Sequence, residues 1–139
     1  LTESHLLPGA LLHNNSQKFI CKNVQLRVET TQSLITSLTQ KGQVLQIPIA
    51  HGEGRFYADD DTLKSIEDND QVLFRYCTPK GEITADANPN GALKNIAGIC
   101  NKQRNVFGMM PHPERCSDDL LHNTDGRILF ESAIKSVFA

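Results

Sequence analysis

The chain has 139 residues, of which 22% are charged, and a formal net charge of −2. This length suits one domain with its own core, or most of a somewhat larger domain, rather than two domains. So weak a charge gives no long-range field to gather nucleic acid. The longest apolar stretches, such as residues 44–50, are far shorter than the roughly 20 residues that cross a bilayer. These properties argue against a nucleic-acid-binding or membrane-spanning protein.

The cysteines are too widely spaced for a paired zinc or redox motif, since they lie at positions 21, 77, 100 and 116. Cys21, Cys77 and Cys100 fall in apolar runs, where a free thiol is usually a small buried hydrophobic residue. We therefore expect a reducing, cytoplasmic setting.

The first predicted element is the end of a helix. The run LTESHLL is followed by Pro8 and Gly9, and proline cannot continue a helix while glycine readily supplies the left-handed cap. The pattern predicts that residues 1–7 are the last turns of a helix that begins before Leu1.

Two strands and a short helix are predicted next. Apolar residues in alternation favour strands over 18–29 and 43–50. Pro48 favours an edge or irregular position for the second strand, because proline donates no ladder hydrogen bond. Apolar residues at helical spacing behind several acids predict a surface helix over 60–68.

Three further strands are predicted over 71–77, 95–101 and 105–112. A long polar connector, residues 78–94, separates the first from the second, whereas a short polar turn joins the last two as a hairpin. After Asn123 the spacing predicts a helix with Thr124 as its N-cap. Its apolar stripe consists of Phe130, Ala133, Ile134 and Val137.

The most informative stretch is Pro-His-Pro-Glu at the end of the last strand. Residues i and i+2 of an extended segment point to the same side, so His112 and Glu114 are predicted to face one cavity. The two prolines stiffen this segment. An imidazole held by a carboxylate on one nitrogen is stabilised when it takes a proton on the other, as in a nucleophile-activating triad. The third member would be a serine or cysteine from another loop.

Other interpretations stay open at this stage. Cys116 is a poor candidate for the nucleophile, because a cysteine four residues from His112 leaves little room for a substrate between them. A metal could use His112, Glu114, His51 or Glu53, although no complete ligand set follows from the spacing. The AHGEG segment around Glu53 could be a simple turn, although its glycines let the backbone approach another molecule closely.

Four segments together carry a resemblance to a known family: NNSQKFIC at 14–21, IPIAHGEGRFYADDDTL at 47–63, NPNGALKNIAGI at 88–99 and GMMPHPER at 108–115. The chain resembles, over essentially its whole length, the glutaminase subunits of phosphoribosylformylglycinamidine synthase, which are class I glutamine amidotransferases. The resemblance implies a flavodoxin-like or Rossmann-like α/β domain with a mixed sheet and flanking helices. Residues 1–139 would then be the C-terminal portion of one such domain, an N-terminally incomplete copy.

The resemblance also implies roles for individual residues. His112 would be the catalytic acid and base, Glu114 would orient it, and the backbone near His51 and Gly52 would line the glutamine pocket; no metal is implied. The family's nucleophile is a cysteine in a Gly-x-Cys-x-Gly-x-Gln elbow, a motif that does not occur in residues 1–139. We therefore expect these residues alone to be inactive.

The implied reaction is glutamine hydrolysis that supplies ammonia to a synthetase. That partner, with a small accessory subunit possible, would convert formylglycinamide ribonucleotide to formylglycinamidine ribonucleotide, using ATP and magnesium, while this chain would hold no cofactor. The alternative is a non-catalytic, amidotransferase-like module that binds a partner. The encoded sequence before Leu1 discriminates the two, because only the enzyme requires the cysteine elbow there.

Overall fold

The computed structural model describes residues 1–139 and combines seven strands with two α-helices. The strands are β1 (Ala10–Leu12), β2 (Ile20–Val28), β3 (Val44–His51), β4 (Arg55–Tyr57), β5 (Val72–Cys77), β6 (Ile96–Cys100) and β7 (Phe107–Met109). The helices are α1 (Asp60–Asp68) and α2 (Arg127–Phe138), and 3₁₀ turns occupy Leu93–Asn95, Pro113–Cys116 and Asp119–Leu121. This combination confirms the α/β class. No helix is both long and apolar enough to cross a membrane.

The main sheet has five strands in the order β3-β2-β5-β6-β7, and β1 pairs with β4 in a separate two-stranded sheet. Every pair is antiparallel, so the mixed sheet that we expected is not formed within residues 1–139. The reason lies in the connections. The segment containing α1 joins β3 to β5, which run in the same direction. Because β2 lies between these two strands, they do not pair, and no parallel pair forms.

The core lies against one face of the paired strands β2 and β3. Their register runs without interruption from Ile20 opposite His51 to Arg27 opposite Val44. Alternate residues of β3 are buried, namely Leu45, Ile47, Ile49 and His51. Because side chains of a strand alternate between its faces, the imidazole of His51 is the last member of a row that is otherwise aliphatic.

Three local predictions are confirmed. Helix α1 spans Asp60–Asp68, and the carboxylate of Asp59 caps it by accepting from the backbone N–H of Thr62 at 2.8 Å. Pro48 lies in β3, which is an edge strand. Strands β6 and β7 pair as an antiparallel hairpin. In each case the prediction depended on a pattern of residues that lie close together in the chain.

The predicted helix over residues 1–7 is wrong, because this segment forms turns. His5 adopts a left-handed conformation, with φ 58°, and the N–H of Leu7 donates to the carbonyl of Leu1 at 3.3 Å. Leu7 is buried, and its side chain packs where a Cβ on Gly108 would lie. The turn conformation thus goes together with the burial of Leu7 in the core.

Helix α2 begins at Arg127, after Gly126 as N-cap rather than Thr124. Of its predicted apolar stripe only Ala133 packs against the core, whereas Phe130, Ile134 and Val137 are 43%, 59% and 65% exposed. Leu129 and Ser132 are buried instead. The hydroxyl of Ser132 accepts from the backbone N–H of Leu38 at 3.1 Å and donates to the carbonyl of Ile128 at 2.7 Å. These polar contacts set which side of the helix meets the rest of the domain.

Candidate active site

The Pro-His-Pro-Glu segment lies along the free edge of β3. The backbone N–H of His112 donates to the carbonyl of Pro48 at 2.8 Å. Farther along, the backbone N–H of Gln46 donates to the carboxylate of Asp125 at 2.7 Å, and the side chain of Asn123 donates to the carbonyl of Gln46 at 2.8 Å. His112, Asn123 and Asp125 therefore satisfy polar groups that an edge strand leaves open, and β3 in turn fixes the position of His112.

His112 and Glu114 are in direct contact. Nδ1 of the imidazole lies 2.8 Å from Oε1 of the carboxylate. Nε2 makes no hydrogen bond within the chain, and the imidazole is 31% exposed. The carboxylate thus favours a proton on Nδ1, which leaves Nε2 free to exchange a proton with another molecule.

The contact arises from a different local structure than the extended strand end that we expected. Strand β7 ends at Met109, and Pro113 is the first residue of the 3₁₀ turn Pro113–Cys116. His112 is the N-cap of that turn, with φ −106° and ψ 87°. Proline fits the first position of a helical turn because its fixed φ suits it and its missing N–H is not needed there. The turn, rather than a pleated strand, places Glu114 beside the imidazole.

None of the four cysteines donates to or accepts from the imidazole of His112. Cys116 is buried, with its Sγ directed at the carbonyls of His112 and Pro113, at 3.9 and 3.5 Å. Burial raises the pKa of Cys116 above its usual range, so that the thiol stays protonated and a poor nucleophile. Burial likewise raises the pKa of Cys77 to about 11.

The prediction that the cysteines in apolar runs are buried holds for Cys77 and Cys100 and is wrong for Cys21, which is exposed. Cys21 lies near the start of β2, where side chains on both faces reach solvent before the buried alternation begins at Val24. The sequence around Cys21 is apolar, but the Cys21 side chain itself is exposed to solvent, whereas the neighbouring Ile20 packs against the core.

His51 is the second histidine of the site, and it differs sharply from His112. It is 6% exposed, and its Nδ1 lies 3.0 Å from Oδ1 of Asn14. Burial lowers the pKa of His51, a backbone hydrogen bond partly opposes this effect, and the charge of His112 lowers the pKa further. The imidazole is therefore held neutral and does not line an open pocket.

Gly52 and Gly54 follow His51 but have different surroundings. A Cβ on Gly52 would meet nothing closer than the ring of Phe19, at 3.9 Å, whereas a Cβ on Gly54 would lie 2.6 Å from Nε2 of His51. Glu53, between them, is exposed and pairs with His13 at 3.3 Å. The Gly52 backbone thus borders open space, while Gly54 is glycine because the imidazole occupies the space of a side chain.

Sequence reasoning missed Asn14 and Asn90, whose buried side chains contact His51. The alternation of β3 could have indicated a buried imidazole, because His51 shares its parity with Leu45, Ile47 and Ile49. Nothing in the sequence indicates its partners, which lie 37 and 39 residues away. The zinc alternative finds no support in this arrangement, since both ring nitrogens of His51 face amides and no three potential ligands cluster.

Comparisons with known proteins agree with this geometry. The family described as CobB/CobQ-like glutamine amidotransferase domain matches residues 2–138. The chain belongs to that family. Phosphoribosylformylglycinamidine synthase subunit PurQ of Acaryochloris marina is 59% identical over 139 residues, which are 100% of this chain and 59% of the relative. The same subunit of Aquifex aeolicus is 54% identical over 134 residues, covering 96% of this chain and 59% of the relative.

The chain is also similar in three-dimensional structure to a solved relative. The structure of PurLQS from Thermotoga maritima contains a chain that matches with a TM-score of 0.83 and 41% sequence identity, covering 99% of this chain and 57% of that one. The amidotransferase fold that the resemblance implied is thereby confirmed. The chain spans a little under three fifths of the length of the relatives it matches.

Proposed function

We propose that this chain provides the acid–base portion of a glutaminase that supplies ammonia to a formylglycinamidine ribonucleotide synthetase in purine biosynthesis. The observation that carries this proposal is the His112–Glu114 pair, joined at 2.8 Å with the other imidazole nitrogen free, in a chain of the glutamine amidotransferase family. The similarity to PurQ subunits supports the choice of substrate and pathway.

The chemistry begins when Nε2 of His112 takes the proton of a cysteine thiol and the resulting thiolate attacks the side-chain amide of glutamine. As the tetrahedral intermediate collapses, the C–N bond breaks, His112 Nε2 protonates the departing nitrogen, and ammonia and a thioester remain. The same nitrogen then takes a proton from water, which hydrolyses the thioester to glutamate and frees the thiolate. Glu114 stabilises the imidazolium that exists before ammonia leaves and again after water has lost its proton.

The nucleophile is not among the cysteines described above, because none contacts the imidazole of His112. We infer that it lies in the Gly-x-Cys-x-Gly-x-Gln elbow that the family resemblance implies, which is not found in residues 1–139. Residues 1–139 would then be the C-terminal portion of a single amidotransferase domain. On their own they would hydrolyse no glutamine, because a base without its nucleophile has nothing to activate.

Free ammonia becomes ammonium in neutral water and loses its nucleophilic lone pair, so a glutaminase of this kind needs its acceptor close by. We infer a synthetase subunit as partner, with a small accessory subunit; the Thermotoga maritima relative was solved as PurLQS. ATP and magnesium would be used by the synthetase and no cofactor by this chain. The free cysteines favour a reducing cytoplasm.

An isotope experiment tests the proposed function. The intact subunit containing this chain, combined with its synthetase, receives glutamine labelled with ¹⁵N in the side-chain amide, together with formylglycinamide ribonucleotide and ATP. We expect the label in the amidine of the product, measured by mass spectrometry. If the subunit binds the synthetase but only added ammonia gives product, the chain is a partner-binding module and the proposal is wrong.

Substitution of Gly52 tests whether its backbone lines the glutamine pocket. Gly52→Ala adds a methyl group that meets no protein atom closer than 3.9 Å, so we expect little change in the unfolding midpoint. A methyl group in the pocket should nevertheless raise the KM for glutamine about tenfold or more, as overpacking of roughly 1.4 kcal/mol would. Steady-state kinetics and thermal unfolding measure the two effects. An unchanged KM would place glutamine elsewhere.

A further inference from the structure

Asn90 connects the long polar segment 78–94 to the loop that follows β3. Its side chain is 1% exposed. Nδ2 donates to the carbonyl of Gly54 at 2.9 Å and lies 3.4 Å from both Nε2 of His51 and the hydroxyl of Tyr76. Oδ1 accepts from the backbone N–H of Ala92 at 3.0 Å. A residue of a surface connector thus reaches the centre of a buried polar cluster.

The partners of the two asparagines determine the tautomer of His51. Asn14 uses its Nδ2 to donate to the carbonyls of Lys18 and His51, both at 2.8 Å. Its Oδ1 must therefore face Nδ1 of His51, and an amide oxygen only accepts, so Nδ1 carries the proton. Nε2 is then an acceptor, and the amide of Asn90 is directed toward it. If Nε2 of His51 carried a proton, its N–H would point at an N–H of Asn90 Nδ2, and the two donors would face each other with no acceptor between them.

The same asparagines hold Gly54 from both sides. Oδ1 of Asn14 accepts from the backbone N–H of Gly54 at 3.2 Å, and Nδ2 of Asn90 donates to its carbonyl at 2.9 Å. One face of Gly54 meets the imidazole of His51. The backbone N–H of Asn14 also donates to the carbonyl of Gly52 at 2.9 Å. The segment Gly52–Gly54 therefore has little freedom to move while the asparagines and His51 stay in place.

We propose that Asn90 is a positioning residue for glutamine binding, which it supports by holding His51 as the neutral Nδ1–H tautomer and thereby fixing the Gly52–Gly54 backbone. The inference rests on the proposed glutaminase function, and it assigns a task to the connector 78–94. Asn90 itself touches no substrate. The titratable groups that face His51 are Tyr76, through the amide of Asn90, and His112, through its charge.

Asn90→Asp is the informative variant, because it keeps size and the acceptor for Ala92 but removes the donor. Its second carboxylate oxygen would face the carbonyl of Gly54 and the lone pair of His51 Nε2, unless His51 takes a proton. Asn95→Asp is the matched control. Asn95 is a buried asparagine directly after the connector, and it donates to the carbonyls of Tyr76 and Thr84, at 3.1 and 2.8 Å, without touching His51.

Kinetics on the intact subunit with its synthetase give the first readout. In Asn90→Asp we expect the KM for glutamine to rise about tenfold, as for the loss of one buried hydrogen bond, with ammonia-dependent synthesis unchanged. The KM should also increase as the pH rises, since only the protonated imidazole can donate to the introduced carboxylate. Wild type and Asn95→Asp should show neither change. Equal effects of the two variants would overturn the proposal, because the connector would then act only through stability.

Nuclear magnetic resonance of the intact subunit labelled with [¹⁵N]histidine gives a readout independent of activity. We expect the proton of His51 on Nδ1 in the wild type at neutral pH, and protonation of Nε2 in Asn90→Asp at acidic pH. A proton on Nε2 in the wild type would overturn the proposal. If the tautomer is as expected but the isotope experiment finds no glutamine-derived product, the proposed function is wrong. The role of Asn90 in fixing the His51 tautomer and the Gly54 backbone would then still hold.

Discussion

Replacing His112 with alanine should remove glutamine-dependent product formation from the intact subunit and its synthetase while sparing the ammonia-dependent reaction. A positioned acid–base group contributes about 10²–10⁴-fold to a rate, and His112 is the group whose Nε2 is free to exchange protons. The imidazole is 31% exposed, so its loss should cost little stability. The rates with glutamine and with ammonium chloride measure the effect.

Glu114→Gln provides the graded companion to this experiment. It keeps the size of the side chain and an acceptor for Nδ1 but removes the charge that stabilises the imidazolium. Because Glu114 is 57% exposed, water screens that charge, and the loss should be smaller than in His112→Ala. If both rates fell equally in His112→Ala, or if Glu114→Gln were the more damaging change, the roles assigned to the pair would be wrong.

Gly126→Ala should both destabilise the domain and impair glutamine use. Gly126 is buried, and a Cβ there would collide with the Pro113 carbonyl group, 2.8 Å from its carbon, and with Sγ of Cys116 at 2.9 Å. The backbone N–H of Gly126 also donates to the carbonyl of Cys116 at 2.8 Å. Two backbone segments are thus in direct contact, and neither can yield by rotating a side chain.

The methyl group must move the turn Pro113–Cys116, whose N-cap is His112. We expect a loss of about 1–3 kcal/mol in the free energy of unfolding, as for other overpacked sites, and a marked decrease in the glutamine-dependent rate. Urea unfolding measures the free energy of unfolding, and product formation by the intact subunit with its synthetase measures the glutamine-dependent rate. Gly42→Ala is the control: no atom lies within 4 Å of the added Cβ, although φ there is +84°. It should lose some stability through backbone strain but retain activity.

Contacts between neighbours in the chain were predictable to a large degree. The contact of His112 with Glu114 follows from a separation of two residues and the two prolines beside them, even though a 3₁₀ turn replaces the expected strand. Helix α1 and the edge position of Pro48 likewise depend on backbone chemistry within a few residues. Such features can be predicted because the local backbone has few allowed conformations.

Contacts between distant segments were not predictable. The sequence of α2 shows an apolar stripe, yet Ser132, not Ile134, faces the segment that contains Leu38. The sheet was expected to be mixed, but its antiparallel pairing depends on which strand enters between β3 and β5. Hydrophobic periodicity indicates that a helix or strand has an apolar face. Which segment packs against that face depends on the packing of the whole domain.

The amino-acid sequence by itself thus determined the family likeness, the α/β class and the proximity of an imidazole to a carboxylate. The tertiary structure alone decided that His112 is anchored on the carbonyl of Pro48 and that His51 is buried between Asn14 and Asn90. The physical reason is the reach of the interactions. Backbone stiffness and side-chain alternation act over a few residues, whereas a buried hydrogen-bond network forms only where packing brings remote segments within about 3 Å of each other.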